Sequence, residues 1–169
     1  DYDIQVIDDG STDKTVEIIK TISSNKIDFK EVGKVDPMEF TKMRQKMLDE
    51  SSCDWILILD GDEIWWEDSI KKVVSEINKK GSEIEGIVVP MRVSVGDIYH
   101  IQEEAAGEYK ILGKTGHFSL KAFSKNIPGL HLNWPYGKEG FFDENNKLIQ
   151  ERKRMIYFDA PFLHVTHLK

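Results

Sequence analysis

Asp54-Trp55-Ile56-Leu57-Ile58-Leu59-Asp60-Gly61-Asp62-Glu63 sets an unbroken apolar run against a sudden cluster of acids. An apolar run without polar alternation is the pattern of a central strand covered on both faces, as in a parallel sheet lying between helices. The acids then stand at the carboxyl end of that strand, the edge where open α/β sheets bind their ligands. Asp60 and Asp62 are one residue apart. Two carboxylates at 4 Å repel by about 1 to 4 kcal/mol for effective dielectrics of 80 to 20, and a divalent cation reverses the sign of that term. Mg²⁺ and Mn²⁺ take carboxylate oxygens and are commonly completed by substrate phosphates and water, so a diphosphate is the natural third party. Gly61 between the acids lets the backbone turn and a ligand approach. Taken alone, a D-x-D is more often just a polar turn after a buried strand.

Working outward, Ile4-Gln5-Val6-Ile7 is a β-branched run stopped by Asp8-Asp9-Gly10-Ser11. Ser11 or Thr12 is placed to cap a following helix whose apolar positions are Val16, Ile18, Ile19 and Ile22. Lys26 to Val32 reads as a second strand, and Pro37 opens a helix with Phe40, Met43, Met47 and Leu48 along one side, ending near Ser51-Ser52. After the central acids, Glu67-Asp68-Ser69 precedes Ile70, Val73, Val74 and Ile77, and Lys79-Lys80-Gly81 closes that helix in the order its dipole favours. Gly86 to Pro90 is a further strand. Strands alternating with helices predict an α/β fold with a mostly parallel central sheet flanked by helices. From about Val93 periodicity fades, and the expectation is an irregular C-terminal region of short mixed strands and functional loops.

The 169 residues suit one domain, with 40% apolar and 10% aromatic residues and no low-complexity tract. A formal charge of −7 argues against a nucleic-acid partner, because such binding rests on Lys and Arg contacts to phosphates. The basic stretch Lys147 to Arg154 is broken by Gln150 and Glu151 and reads as a solvated face. Cys53 is the only cysteine, which fits a reducing compartment. No apolar run approaches the roughly 20 residues of a membrane span. The expectation is therefore a cytoplasmic placement, with attachment to the membrane face as the variant. Because a strand begins almost at Asp1, the chain reads as a piece of a longer one.

Val6-Ile7-Asp8-Asp9-Gly10-Ser11-Thr12-Asp13-Lys14-Thr15 resembles the first nucleotide-binding loop of the family 2 glycosyltransferases, and Asp54 to Glu63 resembles their DXD strand, in the family's order. Between them, Met43-Arg44-Gln45 occupies the place of an Ala-Arg-Asn signature and retains only the Arg. The resemblance covers roughly the first hundred residues. It implies a GT-A fold and a nucleotide-diphosphate sugar as donor. Asp9 would then lie on the base, with Asp8 and Ser11 in the same loop and Arg44 near the nucleotide. Asp60 would lie near the ribose or sugar, and Mn²⁺ or Mg²⁺ would sit on Asp60 and Asp62. Within a single domain 1–169, residues 1–95 become the nucleotide-sugar-binding part and 96–169 the acceptor and catalytic part. The family normally begins with one more strand and helix than this chain has.

Several GT-A enzymes recruit a late His as a further metal ligand; of His164 and His167, residues three apart that would point to opposite faces of a strand, His164 is preferred. Trp65 and Trp66 could stack against a sugar or base, but one of the two is expected to be a packing anchor. An inverting transfer needs a carboxylate to take the acceptor hydroxyl's proton. The family's Glu-Asp base signature is absent, and Glu139 and Asp143 are the nearest candidates. The acceptor, whether saccharide, lipid-linked or protein, is not specified. Two alternatives stand beside transfer: a nucleotide-sugar-binding module without turnover, and, ranked lower, a Mg²⁺-dependent haloacid-dehalogenase-type phosphatase with Asp60 and Asp62 as nucleophile and acid.

Overall fold

The helices follow the hydrophobic pattern closely, while the strands depart from it around residues 55–65 and again after residue 90. The computed structural model describes residues 2–22 and 24–168; Asp1, Ser23 and Lys169, and with them both ends of the 1–169 span, lie outside the described residues. In chain order come β1 (Ile4–Asp8), α1 (Thr15–Thr21), β2 (Ile27–Glu31), α2 (Pro37–Glu50), β3 (Trp55–Leu57), β4 (Glu63–Trp65), α3 (Glu67–Lys80) and β5 (Gly86–Val95). Then follow β6 (Asp97–Ile101), β7 (Tyr109–Ile111), β8 (Lys114–Gly116), β9 (Phe118–Ser124), β10 (His131–Asn133), β11 (Gly140–Phe142), β12 (Met155–Tyr157) and β13 (Phe162–His164). The chain divides into two compact units, one of Asp1–Cys53 with His131–Phe142 and one of Asp54–Leu130 with Asp143–Lys169.

In the first unit β1 and β2 pair in parallel, Ile4 opposite Ile27 through Asp8 opposite Glu31, with α1 as the crossover. The expected cap at Ser11 or Thr12 is not used. The helix begins at Thr15, whose N–H is taken by the Asp13 carboxylate at 2.9 Å, so the turn residues before it spend themselves on the loop. For α2 the N-cap is Asp36, whose Oδ1 accepts from the N–H groups of Met38 at 2.8 Å and Glu39 at 2.9 Å, with Pro37 at the first helical position. The antiparallel pair β10–β11 rests on this helix. Leu132 N–H donates to Gln45 Oε1 at 2.7 Å, the buried Thr41 hydroxyl donates to the Trp134 carbonyl at 2.8 Å, and Tyr136 N–H donates to the Pro37 carbonyl at 3.0 Å.

The second unit is built on a seven-stranded sheet in the order β3-β9-β5-β13-β4, with β12 and β6 also pairing β5. The mostly parallel sheet expected from the sequence is corrected here to a mixed one. β12 and β13 run parallel to β5, whereas β6 and β9 are antiparallel to it, β3 to β9, and β4 to β13. The cause lies after β5, where the described chain contains no further α-helix and returns through short strands, so its neighbours need not run parallel. β3 is likewise shorter than its apolar run: only Trp55–Leu57 forms a strand, at one end of the strand order, and Leu59 is 51% exposed. A continuous apolar run marks burial on both faces only where partners flank it, and β3 pairs with β9 alone among the described residues.

The core of this unit is Val73, Ile84, Ile87, Val89, Ala122, Ala160 and Phe162, with Trp55, Trp65 and Ile77 packed against it. Val73 and Ile77 bring α3 onto the sheet, while Val74 falls off the apolar stripe and is exposed. Trp65 stacks on Phe162 with centroids 5.0 Å apart and planes within 9°, making it the packing member of the tryptophan pair; Trp66 is exposed. Strand β5 runs on past Pro90 to Val95. Pro90 falls in the gap between the stretch paired with β12, ending at Val88, and the stretch paired with β13, starting at Met91, so its missing N–H interrupts no ladder bond.

Removing the Asp36 carboxylate leaves two N–H groups of α2 without that partner. Asp36→Ala is expected to lower the stability of the α2 unit by about 1 kcal/mol, read as a lower urea midpoint with an unchanged slope.

Candidate functional site

The acids after β3 form a closed network in the second unit. Glu63 N–H returns to the Asp60 carbonyl at 3.1 Å, which makes Asp60–Glu63 a tight turn. Gly61 does not adopt a left-handed backbone there, and a Cβ at that position would meet nothing within 4 Å; what it contributes is open space over the turn. Asp60 Oδ2 is held at 2.9 Å by the ammonium of Lys121 on β9, which also pairs with Glu63 Oε1. The other oxygen of Glu63 accepts the Asp60 N–H and the Trp65 indole N–H, each at 3.3 Å. Burial pushes the Glu63 carboxyl above its ordinary range, and the Lys121 charge only partly opposes that. Sequence reasoning passed over Lys121, which reads as an ordinary polar residue in Phe118–Ser124. No local pattern marks it, because its partner acids lie far away in sequence and only the folded strand shows the lysine buried.

Asp62 turns to a different neighbour. Its carbonyl accepts Val165 N–H at 2.8 Å, its Oδ2 lies 3.2 Å from His164 Nε2, and the Thr166 hydroxyl bonds both Asp62 and, at 3.1 Å, His164. The carbonyl of His164 accepts the buried Ser94 hydroxyl at 3.1 Å, which fixes this end of β13 to β5. The Asp62 carboxylate and the Thr166 hydroxyl are oxygen donors of the kind Mn²⁺ or Mg²⁺ takes, while the His164 imidazole is a donor more usual for softer divalent metals. No group of three or more His, Cys, Asp or Glu able to hold a metal occurs among the described residues. His164 Nδ1 is buried with no hydrogen-bond partner, so the ring lacks the outer bond that usually fixes a metal-bound imidazole. These residues therefore fit a cation completed by substrate oxygens and water rather than a self-sufficient cage. His167 stands outside β13 and is exposed.

In the first unit the loop after β1 is organised by Asp8. Its buried carboxylate accepts Gly10 N–H and Ser11 N–H, both at 3.1 Å. The Ser11 hydroxyl bond, reinforced by these backbone donors against the opposing cost of burial, holds the Asp8 carboxyl below its usual range. Gly10 has φ +106°, and a Cβ on it would stand 2.9 Å from the Lys34 nitrogen, so the turn requires glycine. Asp8 is thus spent on shaping the loop, and Asp9 and Ser11 are the exposed groups it presents. On α2, Arg44 lies 3.6 Å from Glu139 and 5.1 Å over the Phe40 ring, and Glu139 also accepts Gly137 N–H.

Asp143, the second candidate base, is buried and engaged through both oxygens. Oδ1 accepts Asn145 N–H at 2.9 Å and Lys147 N–H at 3.1 Å, and Oδ2 takes Arg152 at 2.9 Å. Burial raises its pKa, but the two backbone donors and the guanidinium outweigh it and hold the carboxyl below its usual range. Arg152 also grips Glu85 with two bonds of 2.9 Å, which lowers the Glu85 carboxyl and raises the guanidinium's own pKa. The basic stretch that read as a solvated face thus contributes Arg152, and more loosely Arg154 at 3.8 Å from Glu85, to a structural ion cluster.

Compared with known families, the chain matches the family model described as "Glycosyl transferase family 2" over residues 1–153. No protein with a curated description matches it. Among the described residues no helix is long and apolar enough to cross a membrane.

The Arg152 cluster sets an acid limit on the fold. Both carboxyls have folded pKa values below their ordinary 4.5 and 3.8, so the stability they add is complete above those values and is lost as pH falls through the depressed ones. Thermal melts of the wild type are expected to fall steeply with pH below about 4, and those of a Glu85→Gln, Asp143→Asn double variant to start lower at pH 7 and fall less. Arg152→Met, which leaves two acids without their cation, is expected to cost about 3 kcal/mol in urea unfolding at pH 7.

Proposed function

We propose, from the premise that this chain belongs to glycosyltransferase family 2, that it binds a nucleotide-diphosphate sugar with a divalent cation and passes the sugar, with inversion, to an acceptor hydroxyl. The chain is a glycosyltransferase, and its family uses nucleotide-sugar donors on a GT-A fold. The observation that carries the cation part is the pairing of Asp62 with His164 Nε2 at 3.2 Å beside the Thr166 hydroxyl.

Residue roles follow from what each group has left to offer. Asp9 and Ser11, exposed on a loop that Asp8 shapes, are assigned to the nucleotide, with Arg44 supplying positive charge to it. Asp60, one oxygen of which already holds an ammonium, is assigned to hydroxyls of the donor, and Asp62 with His164 to the cation. When bound, Mn²⁺ or Mg²⁺ supplies positive charge against the diphosphate as it departs. In the transfer, the acceptor oxygen forms its bond to the anomeric carbon as the bond from that carbon to the diphosphate oxygen breaks. The hydroxyl proton passes to a carboxylate, and the nucleoside diphosphate leaves with the bonding pair. Glu139 is assigned as that carboxylate because it is less buried than Asp143 and its contact with Arg44, at 3.6 Å, is longer than the 2.9 Å that ties Asp143 to Arg152.

Residues 1–95 are read as the donor part and 96–169 as the acceptor and catalytic part of one domain. The single cysteine supports a cytoplasmic setting, in solution or against the membrane face. The phosphatase alternative finds no support in the family match.

Calorimetric titration of the chain with UDP-, GDP-, CDP- and dTDP-sugars, with and without Mn²⁺, tests the reading. One nucleotide class is expected to bind in the presence of Mn²⁺ and at least ten-fold more weakly without it, while Mn²⁺ alone binds weakly because protein donors fill only part of its shell. Asp62→Ala is expected to abolish the metal-dependent gain. Binding of no nucleotide sugar, or equal binding by Asp62→Ala, overturns it.

A further inference from the structure

We propose that Lys121 is a positioning residue for the donor: a built-in cation that fixes the turn Asp60–Glu63, so that Asp60 meets the ligand already oriented. This rests on the donor reading above, and the geometry behind it stands without any ligand.

Three independent features place Lys121 against the turn. First, the register between β5 and β9 slips at this residue: Ile87 faces Ala122 and Val88 faces Leu120, so Lys121 is the extra, unpaired residue of a β-bulge. Bulges bend a strand and redirect the side chain they insert, and they recur beside active sites. Secondly, the side chain is only 4% exposed, yet its partners are two carboxylates of the acidic turn, Asp60 at 2.9 Å and Glu63. Thirdly, its backbone joins the same task, since Ile58 N–H donates to the Lys121 carbonyl at 2.8 Å. One residue thus grips the chain both before the turn, through its carbonyl, and within it, through its ammonium.

The two acids it holds are not equivalent. Glu63 is 3% exposed and is closed off by Asp60 N–H and the Trp65 indole, so it balances the ammonium internally. The Asp60 side chain remains one-third exposed and is the member of the network that reaches solvent. Lys121 touches nothing exposed on the ligand's behalf; it acts through Asp60. A carboxylate whose rotamer is locked by such a partner binds without an ordering cost at the moment of encounter.

The test uses the full chain with Lys121→Met, Asp60→Asn and their combination, and Lys121→Met with Glu63→Gln as a charge-balanced variant should Lys121→Met not fold. Two readouts separate this inference from the donor reading. Hydrogen–deuterium exchange across residues 58–66, with no ligand present, is expected to quicken at least ten-fold in the Lys121 variant while α3 keeps its protection; unchanged exchange overturns the proposal. Titration with the UDP-, GDP-, CDP- and dTDP-sugar panel plus Mn²⁺ is expected to show at least ten-fold weaker binding for Lys121→Met, with Asp60→Asn adding less than two-fold on that background. Wild-type affinity in a folded Lys121 variant, or losses that multiply in the double variant, also overturn it. If the wild type binds no member of the panel, the donor reading fails, and the claim that Asp60 is oriented for a donor falls with it, whatever the exchange result.

Discussion

The hydrogen-bond ladder of β5 is the constraint on which the second unit hangs. Along one edge it holds β9 antiparallel, and along the other it holds β12 and then β13 in parallel. Register in a ladder is not adjustable by small amounts, because a slip of one residue sends every side chain to the opposite face. The pairing of Val93 with His164 therefore fixes which face carries the imidazole, and the irregularity at Ile87 and Val88 determines where Lys121 leaves the regular alternation. The turn between β3 and β4 closes on itself through Asp60 and Glu63, and its acids are then fixed from two other strands. Its first acid is held from β9 and its second from the end of β13, two strands that, among the described residues, meet through β5.

Electrostatics divides the acids of this chain into working and structural ones. Asp8 and Asp143 close loops by accepting backbone N–H groups, and their lowered pKa values record that engagement. Glu63 and Glu85 are enclosed with a cation each, an arrangement that contributes little net stability but whose disruption from one side costs about 3 to 5 kcal/mol. Asp9, Asp60 and Asp62, by contrast, keep carboxylate surface open to solvent. A sequence rich in Asp and Glu thus offers fewer acids for chemistry than it contains.

That division explains what the sequence could tell. The β1 loop, α2 and the acidic turn were legible because each combines a hydrophobic period with turn or capping chemistry inside about ten residues. The mixed sheet was not legible, since the strands after Val93 are three to seven residues long and their partners are set by tertiary contacts rather than by pattern. Nor was Lys121, whose role depends on acids 58 and 61 positions away. The shaping role of Asp8 was hidden for the opposite reason: side by side in sequence, Asp8 and Asp9 look alike, and only the local turn decides which one is turned inward.

The division of the chain into Asp1–Cys53 with His131–Phe142, and the rest, has a consequence for the order of folding during synthesis. The hairpin that lies on α2 is made roughly 80 residues after that helix ends. At about 5 to 20 residues per second, the early segment waits several seconds for the piece that covers it. Throughout that interval Thr41 and Gln45 lack the Trp134 and Leu132 partners they hold in the finished unit. This earlier-made segment is therefore completed only after much of the later-made unit exists, and in a cell it is this part of the nascent protein that a chaperone would find open.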